Sequence, residues 1–393
     1  MDILAEVDKI FPEVIEIRHH LHENPELSEH EIETEKYICK KLDDMQIKYR
    51  NHVAGCGVIA QIGEGDHAFA IRADIDALPI QEKNNCSFAS KNDGCMHACG
   101  HDMHTAILLG TASILKKYEE KITEAGGAVK LLFQPAEETI GGARFMIEEG
   151  ALENPTVEGI TALHIDPMYP TEKILIKHGP MNAGTATFTI TVKGASCHGA
   201  HPEGGVDSIV VASHVVTALQ NISSRMHAPT TPVIVTVGTF NAGVAPNVVA
   251  GSAVLRGTSR ALDEETLASV TSKIAMISRG VCESFGAECE IVWGDDGYPP
   301  LVNDDDINGI LEEAAETMYG KDSIIFMPEP SLGADDFAFF TQKIKGAYFN
   351  LGSAHPDEEF YPIHSDLFNP DEKTMKRGIA VECYAALKFL KII

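Results

Sequence analysis

Apolar residues recur at two different spacings along the chain, and each spacing predicts a different kind of element. Between residues 3 and 22 they fall three or four positions apart, as in an amphipathic helix, at Ile3, Leu4, Val7, Ile10, Val14, Ile17 and Leu21. A second helix is predicted near residues 29–45. Buried strands are predicted instead by short apolar runs at 58–62, 68–71, 129–133 and 159–163. The alternation of helices with these strands predicts an α/β/α domain with a mostly parallel sheet.

The pattern changes near residue 180. Apolar residues and threonines alternate over 184–193, which predicts a half-buried strand. The elements predicted from there lie near 184–193, 206–222, 232–240, 249–257, 263–285 and 287–293. Their order, β-α-β-β-α-β, is that of the ferredoxin-like unit. We therefore expect a lid or dimerisation domain at 181–294, inserted into a catalytic domain made of residues 1–180 and 295–393.

Composition narrows the choice of partners. The chain has 393 residues, enough for two domains, and a formal net charge of −27, which argues against binding nucleic acid or an anionic membrane. It contains no apolar run of about 18 residues and no signal-peptide pattern, so we expect no membrane span. The nine cysteines are dispersed and indicate reduced thiols. A cytoplasmic protein is the expectation.

Residues 95–104 concentrate metal-binding side chains just before an apolar helical run. They include Cys95, His97, Cys99, His101, Asp102 and His104. Thiolates and imidazoles are ligands of zinc and other late first-row metals, so this segment predicts a metal site. The alternative is a buried cysteine among scattered surface histidines.

Polar residues also follow three successive predicted strands. These residues are Asp74 and Asp76, Glu137 and Glu138, and His164. The carboxyl ends of parallel strands meet at one edge of a sheet. Together with Cys99, His101 and His364, this set suffices for two divalent ions and a base. Neighbouring side chains such as Glu137 and Glu138 point to different sides, so one can bind metal while the other accepts a proton from water. Taken singly, a solvated glutamate pair and a core histidine remain alternatives.

Four segments of the chain, 72–79, 96–102, 134–138 and 197–202, resemble the metal-dependent aminoacylase/carboxypeptidase superfamily. The similarity is to the branch of N-acyl-amino-acid amidohydrolases that includes hippurate hydrolase and auxin-conjugate hydrolases, and it spans nearly the whole chain. The resemblance implies hydrolysis of the amide bond of N-acyl amino acids, giving a carboxylate and a free amino acid, through a metal-activated water and a glutamate base. A metallo-dipeptidase or carboxypeptidase, a non-catalytic metal-binding protein and a cysteine-nucleophile hydrolase are the alternatives.

The resemblance also implies a ligand set for two divalent ions, namely Cys99, His101, Glu138, His164 and His364. Cys99 is implied to bridge the ions, which would be zinc or manganese and otherwise nickel or cobalt. Glu137 is implied to be the general base, and Asp76 to orient a ligand.

Residues of the inserted domain are implied to contact the substrate. His198 resembles the family histidine that stabilises the oxyanion, in some relatives from a partner subunit, although the residues alone do not rank it above His201. Asn247 resembles a residue that contacts the substrate carbonyl or carboxylate. Arg260 could hold a substrate carboxylate through two hydrogen bonds, and a surface arginine at a helix N-terminus is the equal alternative. The exposed sheet edge and helices of this domain predict a homodimer or a larger homo-oligomer.

Two positions depart from the family pattern. Asp166 stands where relatives often have a bulky aromatic residue, and Ala334-Asp335 stand where relatives often have Ser-Glu. Asp166 would favour a cationic or polar substrate group, or would only cap the next turn.

Overall fold

The computed structural model describes residues 2–356 and 359–393, which form two compact units. The first unit comprises the residues through Gly179 with Val302–Glu329 and Asp336–Ile393. The second comprises Pro180–Leu301 and Pro330–Asp335, so it extends past residue 294 and takes in a short later segment. Within the described part of the chain, every helix is too short or too polar to span a bilayer.

The helices begin where the sequence supplies caps and apolar spacing. Asp2, for example, accepts a hydrogen bond from the backbone N–H of Ala5, and Asp263 accepts one from Thr266. In chain order the helices are α1 (Ile3–Glu23), α2 (Ile32–Asp44), α3 (His101–Lys116), α4 (Glu119–Glu124), α5 (Gly142–Glu148), α6 (Ser208–Leu219), α7 (Asn221–Arg225), α8 (Glu264–Ser284), α9 (Asp305–Tyr319), α10 (Ala338–Thr341) and α11 (Met375–Phe389).

The strands divide between the two units. In chain order they are β1 (Lys48–Val53), β2 (Gly57–Ile62), β3 (His67–Asp74), β4 (Gly127–Gln134), β5 (Thr156–Pro170), β6 (Ile174–Ile176), β7 (Gly179–Asn182), β8 (Gly184–Lys193), β9 (Val233–Ala242), β10 (Ser252–Ala261), β11 (Glu288–Trp293), β12 (Leu301–Asn303), β13 (Ile324–Phe326) and β14 (Lys345–Ala354). The short strands β7 and β12 lie where the chain passes from one unit to the other.

The first unit is built on a sheet with the strand order β1-β2-β4-β3-β5-β14-β6-β13. Its centre, β4-β3-β5-β14, is parallel, whereas β1, β2 and the β14–β6 pair are antiparallel. Every residue of β4 is buried, as the continuous apolar run predicts for a strand covered on both faces. Apolar side chains of α1, α3 and α11 complete this core. The predicted mostly parallel α/β sheet is confirmed.

The second unit is a four-stranded antiparallel sheet with the order β11-β8-β10-β9, packed with α6 and α8. Phe188, Ile190 and Val192 are buried at alternate positions of β8, and the threonines between them are partly exposed. Apart from the additional short helix α7, the elements follow the ferredoxin-like order.

Two elements near the sheet edge differ from the sequence prediction. Strand β5 continues past residue 163 because it pairs with β14, so that His164 lies opposite Asn350 inside the strand. Helix α3 begins at His101, inside the segment 95–104 that was predicted to precede the helical run, so His101 and His104 lie in its first turn. Gly100 precedes the helix with φ 90°, and a Cβ there would lie 2.2 Å from Cδ1 of Ile165. Glycine is therefore required at this position.

Candidate metal centre

The five predicted ligands form two groups that share Cys99. One donor atom from each of Cys99, His101 and His164 lies within 4.8 Å of the others. The same holds for Cys99, Glu138 and His364. Two groups of donors that share the sulfur of Cys99 could hold two divalent ions.

Different elements deliver these ligands to the edge of the sheet. His101 lies in the first turn of α3, His164 lies in β5, and Glu138 follows the end of β4. His364 lies in a loop with φ 64°, and its backbone N–H donates to the carbonyl oxygen of Ala98 across 2.8 Å. That hydrogen bond ties the loop to the segment that carries Cys99.

Asp76 holds two of the ligands in place. The Nδ1 atom of His101 lies 3.0 Å from the carbonyl oxygen of Asp76 and 3.1 Å from its Oδ1. A carbonyl oxygen only accepts, so Nδ1 carries a proton, and Nε2 is the ring atom that would bind a metal ion. The other carboxylate oxygen of Asp76 accepts hydrogen bonds from Ser28 and from the backbone N–H of Glu138, at 2.7 and 3.1 Å. Support of this kind from beyond the ligands fixes their direction.

Buried donor atoms indicate that the site fits a cation. Nε2 of His101 and Oε1 of Glu138 are both buried, and their polar neighbours belong to the donor set itself: Nε2 of His364 lies 3.2 Å from Oε1 of Glu138, and Nε2 of His101 lies 4.0 Å from it. Burial lowers the pKa of His164 to about 3, so its imidazole is neutral, as a ligand must be. Burial also raises the pKa of the Cys99 thiol well above its ordinary value. A thiolate here therefore needs positive charge beside it, which divalent ions provide.

Glu137 lies next to this donor set. Its side chain is 8% exposed, and donor atoms of Glu137, Glu138 and His101 lie within 4.8 Å of one another. The preceding residue, Ala136, has φ 55°, and its N–H donates to Oε1 of Glu31 across 2.8 Å. Burial, with the nearby charge of Asp76, raises the pKa of Glu31 to about 7. Glu31 thus fixes an unfavourable backbone conformation that directs two adjacent carboxylates to the site.

Two acidic residues from the same sequence segments belong to buried ion pairs behind the site. Asp74 accepts from Arg72 at 2.5 Å and from His104 at 2.6 Å. Asp102 accepts from Nε of Arg18 and from Nδ1 of His22, each at 2.8 Å. Burial raises the pKa of Asp102, but these two neighbours hold it far below its ordinary value.

Several supporting residues were absent from the sequence prediction. Ser28 and Glu31 lie in the loop between α1 and α2 and carry no motif that points to the site. Arg18 and Arg72 could have been recognised from the sequence as buried, partnered charges, because each stands at a position where the apolar pattern predicts burial.

The remaining predicted site residues, His198, Asn247 and Arg260, belong to the second unit. His198 is exposed, and the segments that carry His198 and Asn247 are held together by a hydrogen bond of 2.8 Å from Gly199 N–H to the Asn247 carbonyl oxygen. Nδ1 of His198 accepts from the N–H of Ala200, which leaves Nε2 as the proton-bearing atom. Arg260 donates to the carbonyl oxygen of Leu332 across 2.7 Å.

At the first position that departs from the family pattern, Asp166 accepts a hydrogen bond of 2.9 Å from the N–H of Met168. Burial raises the pKa of this carboxyl. The contact is the turn-capping role that the sequence offered as one of two interpretations.

Comparison with known proteins identifies the family. Residues 70–388 match the model of peptidase family M20/M25/M40. The chain is 38% identical over 352 residues to the N-acetyl-L-cysteine deacetylase of Bacillus subtilis, covering 89% of this chain and 82% of that protein. It is 35% identical over 390 residues to thermostable carboxypeptidase 2 of Saccharolobus solfataricus, covering 98% and 97%. The structure of the Bacillus subtilis YXEP protein, described as a dinuclear metal binding peptidase, matches with a TM-score of 0.84 at 34% identity, covering 98% of this chain and 100% of that one.

Proposed function

The chain belongs to peptidase family M20/M25/M40, and on that premise we propose that it is a dinuclear amidohydrolase acting on N-acyl amino acids. Membership of the family makes it a hydrolase of amide or peptide bonds. The narrower substrate class is supported by a relative named for removal of an acetyl group from an amino acid. The products would be a carboxylic acid and a free amino acid.

One observation carries the proposal: Cys99 is common to two groups of donors, and Glu137 adjoins both Glu138 and His101. Sulfur, imidazole and carboxylate donors favour zinc, and manganese is accepted by the carboxylates, with nickel and cobalt as further candidates. Bound divalent ions would supply Lewis acidity and lower the pKa of a water molecule.

The protein groups then have separate tasks. The carboxylate of Glu137 accepts a proton from the water that attacks the substrate carbonyl. Glu137 then returns this proton to the nitrogen of the departing amino acid. Asp76 keeps His101 and the backbone of Glu138 in position. His198 would donate from Nε2 to the developing oxyanion, and Asn247 and Arg260 would hold the substrate. The assignments of His198 and Asn247 rest on the family resemblance, and that of Arg260 rests on the ability of a guanidinium to bind a carboxylate through two hydrogen bonds.

We further propose that the protein is a cytoplasmic homodimer or larger homo-oligomer formed through its second unit. Strand β9 ends the sheet order β11-β8-β10-β9, and it carries the exposed residue Phe240. Ile209 and Val210 on α6 are also exposed. Apolar residues beside an open strand edge favour self-association. Light scattering at micromolar concentration should give the mass of at least two chains, and the mass of one chain would contradict the proposal.

The test of the catalytic role is the substitution Glu137→Gln. Loss of a general base is expected to lower kcat for an N-acetyl amino acid by about 10²–10⁴-fold, with the metal content unchanged. Glu120→Gln, at an exposed glutamate of α4, is the control and should retain full activity. If Glu137→Gln hydrolyses the substrate at the rate of the wild type, Glu137 is not the base.

A second candidate, a metallo-dipeptidase or carboxypeptidase, is favoured by the similarity to thermostable carboxypeptidase 2. The same donor set and base would serve either reaction. Comparing kcat/KM for dipeptides with that for acetyl- and benzoyl-amino acids separates the two functions. A preference for dipeptides would replace the proposed substrate class and leave the proposed catalytic groups unchanged.

A further inference from the structure

We infer that His104 is a positioning residue for the metal centre, which acts through the backbone of Ile165 on the ligand His164. The inference rests on the proposed function only in taking His164 and Cys99 as ligands. His104 lies in the first turn of α3, is 1% exposed, and is outside the predicted ligand set.

Both ring nitrogens of His104 have partners that determine its protonation. Nε2 lies 3.1 Å from the backbone nitrogen of Ile165, and because that N–H can only donate, Nε2 accepts. Nδ1 therefore carries the proton of the neutral ring and donates it to Oδ1 of Asp74 across 2.6 Å. No ring lone pair remains for a metal ion, even though His104 lies close to His101. The structure thus assigns His104 a supporting role.

The hydrogen bond to Ile165 replaces a missing strand partner. Strand β3 pairs with β5 only as far as Arg72 opposite Ala162, while β14 occupies the other side of β5. In the described pairings, β5 therefore has no strand neighbour on the β3 side at Ile165. Leaving a buried N–H without an acceptor is energetically costly, so this group requires another acceptor. His104 provides it from α3.

Ile165 in turn contacts two of the segments that carry predicted ligands. Its carbonyl oxygen accepts a 2.7 Å hydrogen bond from Nδ1 of His164, which leaves Nε2 of His164 unprotonated and 3.3 Å from Sγ of Cys99. The side chain of Ile165 lies against Gly100, the residue that stands between Cys99 and His101 in the sequence. A shift of Ile165 would therefore alter the direction of the His164 lone pair and the path of the segment that carries two other ligands.

A buried ion pair holds His104 from the opposite side. Asp74, which accepts the hydrogen bond from Nδ1–H of His104, also accepts one from Nη1 of Arg72 at 2.5 Å, and Nη2 of Arg72 donates to Asp336 at 2.7 Å. The hydroxyl of Thr105 donates to the Asp74 carbonyl oxygen at 3.0 Å. The imidazole is therefore fixed at both ends, between a rigid anionic group and the strand that carries a ligand.

Two substitutions of His104 distinguish a role in orienting the ligand His164 from a role in packing alone. His104→Asn keeps a donor toward Asp74 but loses the acceptor for Ile165, whereas His104→Gln places a side-chain oxygen near the position of Nε2. Cobalt(II) alone is the probe, titrated against a chelator and followed through the thiolate-to-cobalt absorption band. We expect His104→Asn to weaken cobalt binding by about 10–100-fold and His104→Gln by less than about threefold. Thermal unfolding of both metal-free variants serves as the measure of lost packing.

The outcomes are distinguishable. If His104→Asn binds cobalt as tightly as the wild type, or if both variants lose affinity equally, the inference is wrong while the metal centre stands. If the wild type itself shows no thiolate-to-cobalt band, the proposed metal centre fails, and the inference fails with it.

Discussion

Replacement of Glu382 by glutamine should stabilise the protein at neutral and alkaline pH. Glu382 lies on α11, is 1% exposed, and accepts a 2.9 Å hydrogen bond from the Thr111 hydroxyl. Burial raises the pKa of Glu382 from an ordinary value of 4.5 to about 8, and the Thr111 hydrogen bond opposes this only in part. The folded protein therefore favours the neutral acid, whereas the unfolded chain ionises it freely.

The direction of the pH dependence follows from this difference. A carboxyl whose pKa is raised by folding leaves stability intact below 4.5, and stability declines as the pH rises from 4.5 toward about 8. At about 1.4 kcal/mol per pH unit, the loss is on the order of 3 kcal/mol by pH 7. Glutamine cannot ionise, and its side-chain oxygen can still accept from Thr111. The variant should therefore escape the decline.

The assay is thermal unfolding of the wild type and Glu382→Gln from pH 5 to pH 8.5. We expect nearly equal unfolding temperatures at pH 5 and a variant that is roughly 4 °C more stable at pH 7. Other titrating groups are common to both proteins, so the difference between the two curves isolates Glu382. Glu120→Gln, at an exposed site, should show a difference that does not vary with pH. A difference for Glu382→Gln that is constant across the range would refute the reasoning.

Two further predictions concern packing. Gly100→Ala should lower the metal content and the unfolding temperature, because the added Cβ would lie 2.2 Å from Ile165 and the backbone φ is 90°. The control is Gly280→Ala in α8, where a Cβ meets no atom within 4 Å. This variant should be neutral or stabilising by up to about 1 kcal/mol. Unaltered metal content in Gly100→Ala would contradict the close contact. Leu255→Ala should destabilise the second unit by about 2–5 kcal/mol, measured by denaturant unfolding, because Leu255 is fully buried in its core. A loss below about 1 kcal/mol would show that this core is loosely packed.

The sequence predicted the fold class and the family, and both are confirmed. The alternation over β8 and the apolar run of β4 were sufficient to predict these two strands, because each pattern is formed by residues that are neighbours in the sequence. The length of β5 was not predictable in this way: its extension past residue 163 depends on pairing with β14, which lies far along the chain. Helix α3 begins directly after Gly100, whose positive φ and close contact with Ile165 depend on packing between segments that are far apart in the chain.

In the candidate site, too, the residues within sequence motifs were predicted, whereas contacts between distant segments were not. The ligand set came from motif resemblance, and the structure brings those five residues into two groups that share Cys99. Their supports were hidden because they join distant segments: Arg72 with Asp336, Glu31 with Ala136, and His104 with Ile165. Such contacts depend on tertiary packing, which leaves no periodic signal in the sequence. The assigned roles of the site residues, the metal and the substrate remain predictions.

The most direct test of the central claim is the metal content of the purified protein, measured by mass spectrometry together with hydrolysis of an N-acetyl amino acid. We predict about two divalent ions per chain, loss of both ions and activity on chelation, and recovery when zinc or manganese is restored. Full hydrolysis by a protein stripped of metal would contradict the account. So would a failure to bind any divalent ion after reconstitution, because the donors around Cys99 would then hold no metal centre.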